Sequence, residues 1–120
     1  HELTTLPYDV KPIYTAKGAP TANGAYSVGT LSVEPGKYAI ITGIKLIAES
    51  ADTWFSIGGD ISDVHYLPAK GADIIAGSPE DPYAVLDEGQ TVTFVVENAV
   101  AGVNYAVTVY GAVREKKPQR

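Results

Sequence analysis

From residue 25 onward, apolar and polar residues alternate in short runs, the two-residue period of strands with one face in a core. Residues 25–33 form the first run. It stops at Glu34-Pro35-Gly36-Lys37, where Pro followed by Gly suits a type II turn. A long strand is predicted over 38–49. Its set Tyr38, Ile40, Thr42, Ile44, Leu46 and Ala48 is mostly apolar and is assigned to the core. The other set holds Lys37, Lys45 and Glu49 but also Ile41 and Ile47, so the second face is only partly wet. Residues 53–57 and 61–67 follow as strands, separated by Gly58-Gly59-Asp60 and closed by Pro68. Residues 68–83 carry Gly71, Gly77, Pro79 and Pro82, and read as a long connection with a short strand near Ile74-Ile75. Past the turn at Asp87-Glu88-Gly89-Gln90 come the clearest strands. Residues 91–97 set Val92, Phe94 and Val96 on one side, and residues 103–114 do the same with Val103, Tyr105, Val107, Val109 and Val113. Gly111 interrupts that last row, which predicts a bulge or a close backbone approach.

No segment carries a convincing helical period. Seven or eight strands joined by Gly/Pro turns predict an all-β fold, an antiparallel β-sandwich or jelly roll. Residues 1–24 read differently, as an extended N-terminal arm. Pro7, Pro12 and Pro20 break any helix and favour extended geometry. Short pairing segments fit between them, at Tyr8-Asp9-Val10 and Ile13-Tyr14-Thr15. Such an arm either lies on its own domain or crosses to a neighbour. The expected organisation is therefore an arm over 1–24, a sandwich domain over 25–114 and a polar, basic tail over 115–120.

At 120 residues and 12.6 kDa the chain is one domain. Nine Lys+Arg against fourteen Asp+Glu give a net charge of −5, which argues against a nucleic-acid partner because phosphate binding needs a basic face. With 45% hydrophobic residues there is material for a core. No apolar run reaches the roughly 18 residues of a membrane-crossing helix, so no membrane span is expected. Cys is absent, which removes disulfides, thiolate metal sites and Cys nucleophiles. There is no Gly-x-Ser-x-Gly elbow, and Gly58-Gly59 is not followed by the Gly-Lys-Ser/Thr of a phosphate loop. The only internal base of the imidazole type is His65. The expectation is a protein that is not an enzyme and needs no cofactor.

Two metal chemistries stay open as candidates. A terminal His1 can hold copper through its amino group and ring, with His65 completing the site and Asp63 two residues away. In this the chain resembles copper-resistance carriers and copper-dependent polysaccharide oxygenases, β-sandwiches that begin with a mature His, although the Asp-x-His element here is mid-chain. Calcium as an assembly ion is the other candidate, with Asp60, Asp63 and Asp87 in acidic loops. The bland account of these acids is solvation of turns. Trp54 alternates away from Phe55 and Ile57, which predicts a partly exposed ring fit for a sugar or a protein partner.

The run Val33-Glu34-Pro35-Gly36-Lys37-Tyr38-Ala39-Ile40-Ile41-Thr42-Gly43-Ile44 couples a turn to a strand. It is followed by Leu86-Asp87-Glu88-Gly89-Gln90-Thr91-Val92-Thr93-Phe94 and by Val107-Thr108-Val109-Tyr110-Gly111. Over about residues 28–114 this resembles small jelly-roll virion accessory proteins of tailed phages: decoration, head-fibre and tail-accessory modules. The resemblance implies a structural role without catalytic residues, as a trimer or larger lattice bound to a capsid or tail protein at the virion surface. It also implies an arm that reaches a neighbour by strand addition. The expected interface residues are Leu3, Leu6, Tyr8, Ile13 and Tyr14 in the arm, Ile41 and Ile47 on the second face, and Trp54. The alternatives carried with it are an extracellular filament or tubule subunit joined by strand exchange, a carbohydrate-binding module, and a secreted copper-binding sandwich.

Overall fold

The computed structural model describes residues 11–117. They form nine strands: β1 (Lys11–Gly18), β2 (Gly24–Ser32), β3 (Lys37–Ala48), β4 (Thr53–Gly59), β5 (Asp63–Leu67), β6 (Gly71–Ala76), β7 (Ala84–Leu86), β8 (Thr91–Ala99) and β9 (Tyr105–Glu115). Two antiparallel sheets result. The first runs β1-β9-β3-β6, with the short β7 also on β3; the second runs β2-β8-β4-β5. The pairings nest: β1 with β9, β2 with β8, β3 with β6 and β7, β4 with β5. The cross-pairs β3–β9 and β4–β8 complete the two sheets. This nesting is the strand order of a two-sheet jelly roll.

The sheets pack on each other through their inward rows. Phe55 and Ile57 of β4 and Val92, Phe94 and Val96 of β8 face Ile44 and Leu46 of β3 and Tyr105, Val107 and Val109 of β9, all of them buried. Removing each such side chain from water stabilises the fold by roughly 1.5–3 kcal/mol. The polar side chains of Tyr105 and Thr53, both carried deep into this layer, are satisfied; Thr53 Oγ1 donates to the Ser50 carbonyl at 3.1 Å. Tyr105 Oη accepts the Val100 amide at 2.8 Å and lies 2.6 Å from Ser50 Oγ. Tyr105 thereby ties the 98–102 bend to the turn after β3.

Residues 11–18, expected to belong to an arm, are an edge strand of the first sheet, paired with β9 from Lys11↔Gly111 to Gly18↔Tyr105. Pro12 is tolerated because an edge strand leaves one row of its backbone unpaired. Tyr14 points inward and stacks near Phe94, with ring centroids 6.5 Å apart. Gly29 of β2 leaves the room for this: a side chain there would collide with Tyr14 Oη and with Ala16.

β3 departs from the sequence expectation in its phase. Its register against β9 slips between Ile41 and Gly43, so Thr42 is an inserted residue, a β-bulge. Before the bulge Ala39 and Ile41 point inward; after it Ile44, Leu46 and Ala48 do. A single inserted residue inverts a period of two. Tyr38 and Ile40, assigned to the core from one unbroken alternation, therefore face outward, and Ile41 is fully buried. Gly111 permits the close approach behind this. A Cβ there would run into the carbonyl oxygen of Ile40 and lie 3.2 Å from Ile41 Cα.

Gly111→Ala is therefore expected to destabilise the fold by about 1–3 kcal/mol, as overpacking against backbone does. Urea unfolding checks this, with a lowered midpoint at an unchanged slope as the expected result.

Candidate functional site

The outward positions of the first sheet follow from its register. Lys45 lies in one row with Thr108, Thr15 and Ile74; Ile47 with Ala106, Lys17 and Ala72; Ile40 with Ala112 and Val85; Tyr38 with Arg114. Antiparallel sheets facing water normally turn polar residues outward. Here Ile40, Ile47 and Ile74 are half-buried and Val85 is 57% exposed. The charged residues at these outward strand positions are all cations: Lys17, Lys45 and Arg114.

The bulges of β1, between Pro12 and Tyr14, and of β3 fall opposite neighbouring residues of β9. Together they form a cleft of about 760 Å³ in this face, with Ile13, Ile40, Ala112 and Val113 as apolar lining and Lys11 and Arg114 as charged lining.

The second sheet presents a different outward surface. Its rows join Trp54 with Tyr66 and Glu97, Ser56 with Val64, Val95 and Ser27, and Thr93 with Thr30 and Gly58. Small hydroxylated residues dominate, and Glu97 is the charged residue among them. Trp54 is half-buried and Tyr66 is 44% exposed, and their rings stack with centroids 4.6 Å apart. Each ring covers one face of the other, which leaves less open ring surface for a sugar than two separate rings lying flat. Tyr66 Oη donates to Asp52 Oδ1 at 2.7 Å. That bond, with smaller contributions from desolvation and the Asp52 charge, raises the phenol above its ordinary range. Asp52 sits in the left-handed region (φ 58°) and Asn98 Nδ2 donates to its carbonyl at 2.7 Å. The pair thus ends in a fixed acidic rim.

Asp63 and His65 alternate with Val64 and Tyr66 along β5, so they point toward the other sheet. Tyr83 Oη donates to Asp63 Oδ2 at 2.8 Å, and His65 Nε2 lies 2.7 Å from Asp73 Oδ2 of β6. These two bonds fasten the β5 edge to the β6–β7 side of the first sheet. Desolvation, followed by the Asp63 contact, pushes the Tyr83 phenol well up.

The expected site residues separate accordingly. His1, Leu3, Leu6 and Tyr8 lie outside the described residues. Ile13 and Tyr14 pack against the core of their own chain, although Ile13 also lines the cleft. Ile41 is inside the sandwich and offers nothing to a neighbour, because the bulge turns it inward. Ile47 is on the outward face as expected, and Trp54 is partly exposed as expected. Tyr66, in the same row as Trp54, points outward as well. The three calcium candidates each have their own partner. Asp60 Oδ2 accepts the Thr91 amide, Asp63 is held by Tyr83, and Asp87 Oδ1 is 2.9 Å from Lys116 Nζ. Among the described residues no group of three or more His, Cys, Asp or Glu gathers to hold a metal; the copper candidate includes His1, which lies outside them. Also among them, no helix is long and apolar enough to cross a membrane. The residues that the pattern missed are Ile40, Tyr38 and Tyr66. The interruption at Gly111 was the available signal for the first two.

Comparison with models of protein families finds no match, and comparison with curated proteins finds none either.

One electrostatic cluster sets a pH dependence. Lys116 Nζ bonds Asp87 and Glu88. The Lys116 hydrogen bond, then the Glu88 amide, lowers Asp87; the Gly36 amide, then Lys116, lowers Glu88. Carboxylates lowered by folding stabilise it above their ordinary range, and that contribution is lost as pH falls through the lowered values. Between about pH 6 and about pH 3 the urea midpoint of Lys116→Gln is expected to fall less steeply than that of the parent chain.

Proposed function

We propose that this protein is a non-enzymatic structural subunit that works by assembly, as an accessory on the outside of a virion capsid or tail. The observation that carries the reading is the outward face of the first sheet. Ile40, Ile47, Ile74 and Val85 stand there with Ala106 and Ala112, where a sandwich bathed in water on both sides would carry polar side chains. Outward apolar side chains of this kind mark an interface. The described residues extend over 52 × 32 × 19 Å, a flat block whose broad faces are large enough for the roughly 800 Å² per partner of a stable contact. The resemblance of residues 28–114 to jelly-roll virion accessory proteins supports the surface of such a particle as the place of action. Fold alone does not carry function, so the reading rests on the face.

The test is the mass of the native particle in solution, measured by sedimentation across a concentration series. The parent chain is expected to form a trimer or larger species. Ile47→Asp removes about 1.5–3 kcal/mol of apolar burial and is expected to weaken association about 10- to 100-fold, with an unchanged far-UV spectrum. A parent chain that stays monomeric at every concentration, or a variant that assembles like the parent, overturns the reading.

A further inference from the structure

We infer that the two broad faces of this chain are counterparts, and that the second sheet of one copy seats on the first sheet of the next. The inference rests on the assembly reading and adds the identity of the partner: a second copy of this chain, bound through an unlike face.

Three observations lead to it. The first is charge. At the outward strand positions the first sheet carries Lys17, Lys45 and Arg114 and no carboxylate. The second sheet carries Glu97 there and no cation, with Asp52 at the rim of the aromatic pair. A chain of net charge −5 has thus gathered cations on one broad face and left the other acidic. Opposed faces of this kind attract each other and repel their own kind, which favours unlike pairing over like pairing.

The second is shape. The first sheet is indented, with a cleft of about 760 Å³ between Ile13, Ile40 and Ala112. The bulkiest outward group of the second sheet is the Trp54–Tyr66 stack. Aromatic side chains that enter an apolar depression and lose their water are the usual anchors of protein interfaces. Lys11 and Arg114 line the cleft, and Asp52 and Glu97 flank the stack, so the charges meet around the apolar contact.

The third is the state of the aromatic pair. Its rings are already ordered by mutual stacking and by the Tyr66–Asp52 bond, so seating them loses little rotamer freedom.

The resulting contact is heterologous. Every copy keeps one unused face after binding, so growth continues until a ring closes or a filament forms.

Two face-specific variants test this. Ile40→Glu places a carboxylate in the cleft and leaves the second sheet intact. Tyr66→Lys places a cation beside the stack and leaves the first sheet intact. Both positions are outward, and far-UV spectra and thermal midpoints verify that the variants fold. Each variant alone is expected to associate at least about tenfold more weakly than the parent. Their equimolar mixture is expected to form a 1:1 complex that grows no further, because the good face of each meets the good face of the other. A parent that assembles while the mixture stays monomeric overturns the unlike-face contact and leaves the assembly reading standing. Variants that each assemble like the parent do the same. A parent that is monomeric throughout overturns both.

Discussion

The approach of the Gly111 backbone to Ile40 and Ile41 is the constraint on which the rest of the first sheet depends. It allows β3 to carry one extra residue, and that residue divides the strand into two halves of opposite phase. The half after the bulge sends Ile44, Leu46 and Ala48 into the core, while the half before it sends Ala39 and Ile41. Without the inversion Ile41 would leave the core and Ile40 would enter it. The outward surface would lose the floor of its cleft at the same stroke. Core packing and surface chemistry are therefore set by one local backbone contact.

The two broad faces have opposite characters because their strands solve the same problem differently. In the second sheet, Ser27, Thr30, Ser56 and Thr93 face solvent with small hydroxyls suited to strands. In the first, outward isoleucines fill the same role and leave apolar surface behind. The acidic charge of the molecule is carried mainly by turns and by the rim at Asp52, so it does not cancel the cations of the first sheet. The β5 edge adds a third theme. Asp63 and His65 reach across to Tyr83 and Asp73 and join that edge to the other sheet.

Much of this was legible in the chain. The period of two located β4, β8 and β9 and their inward rows, because each of these strands runs without an inserted residue through its core positions. Trp54 was placed outward by the same rule. The phase of β3 was not legible, since a bulge is a property of a pair of strands, and Gly111 marks it from the partner's side. β1 read as an arm because prolines mask strand character, and only pairing with β9 shows that Pro12 sits on an edge. The clasps of β5 join residues 8 and 20 positions apart through turns whose geometry no local pattern reports.

The nested pairing also orders the events of folding. β4 and β5 are joined by a short turn, whereas β1 meets β9 only after the chain between Gly18 and Tyr105 has closed on itself. Loop-closure entropy makes that outermost pairing dearer by roughly 3 kcal/mol than the innermost one when each is formed from an unstructured chain. Long-range pairing of this kind places the fold among the slower-folding topologies. Among the described residues β1 pairs on one side only, and its partner is the farthest away in sequence, so it is the strand expected to be secured last and released first.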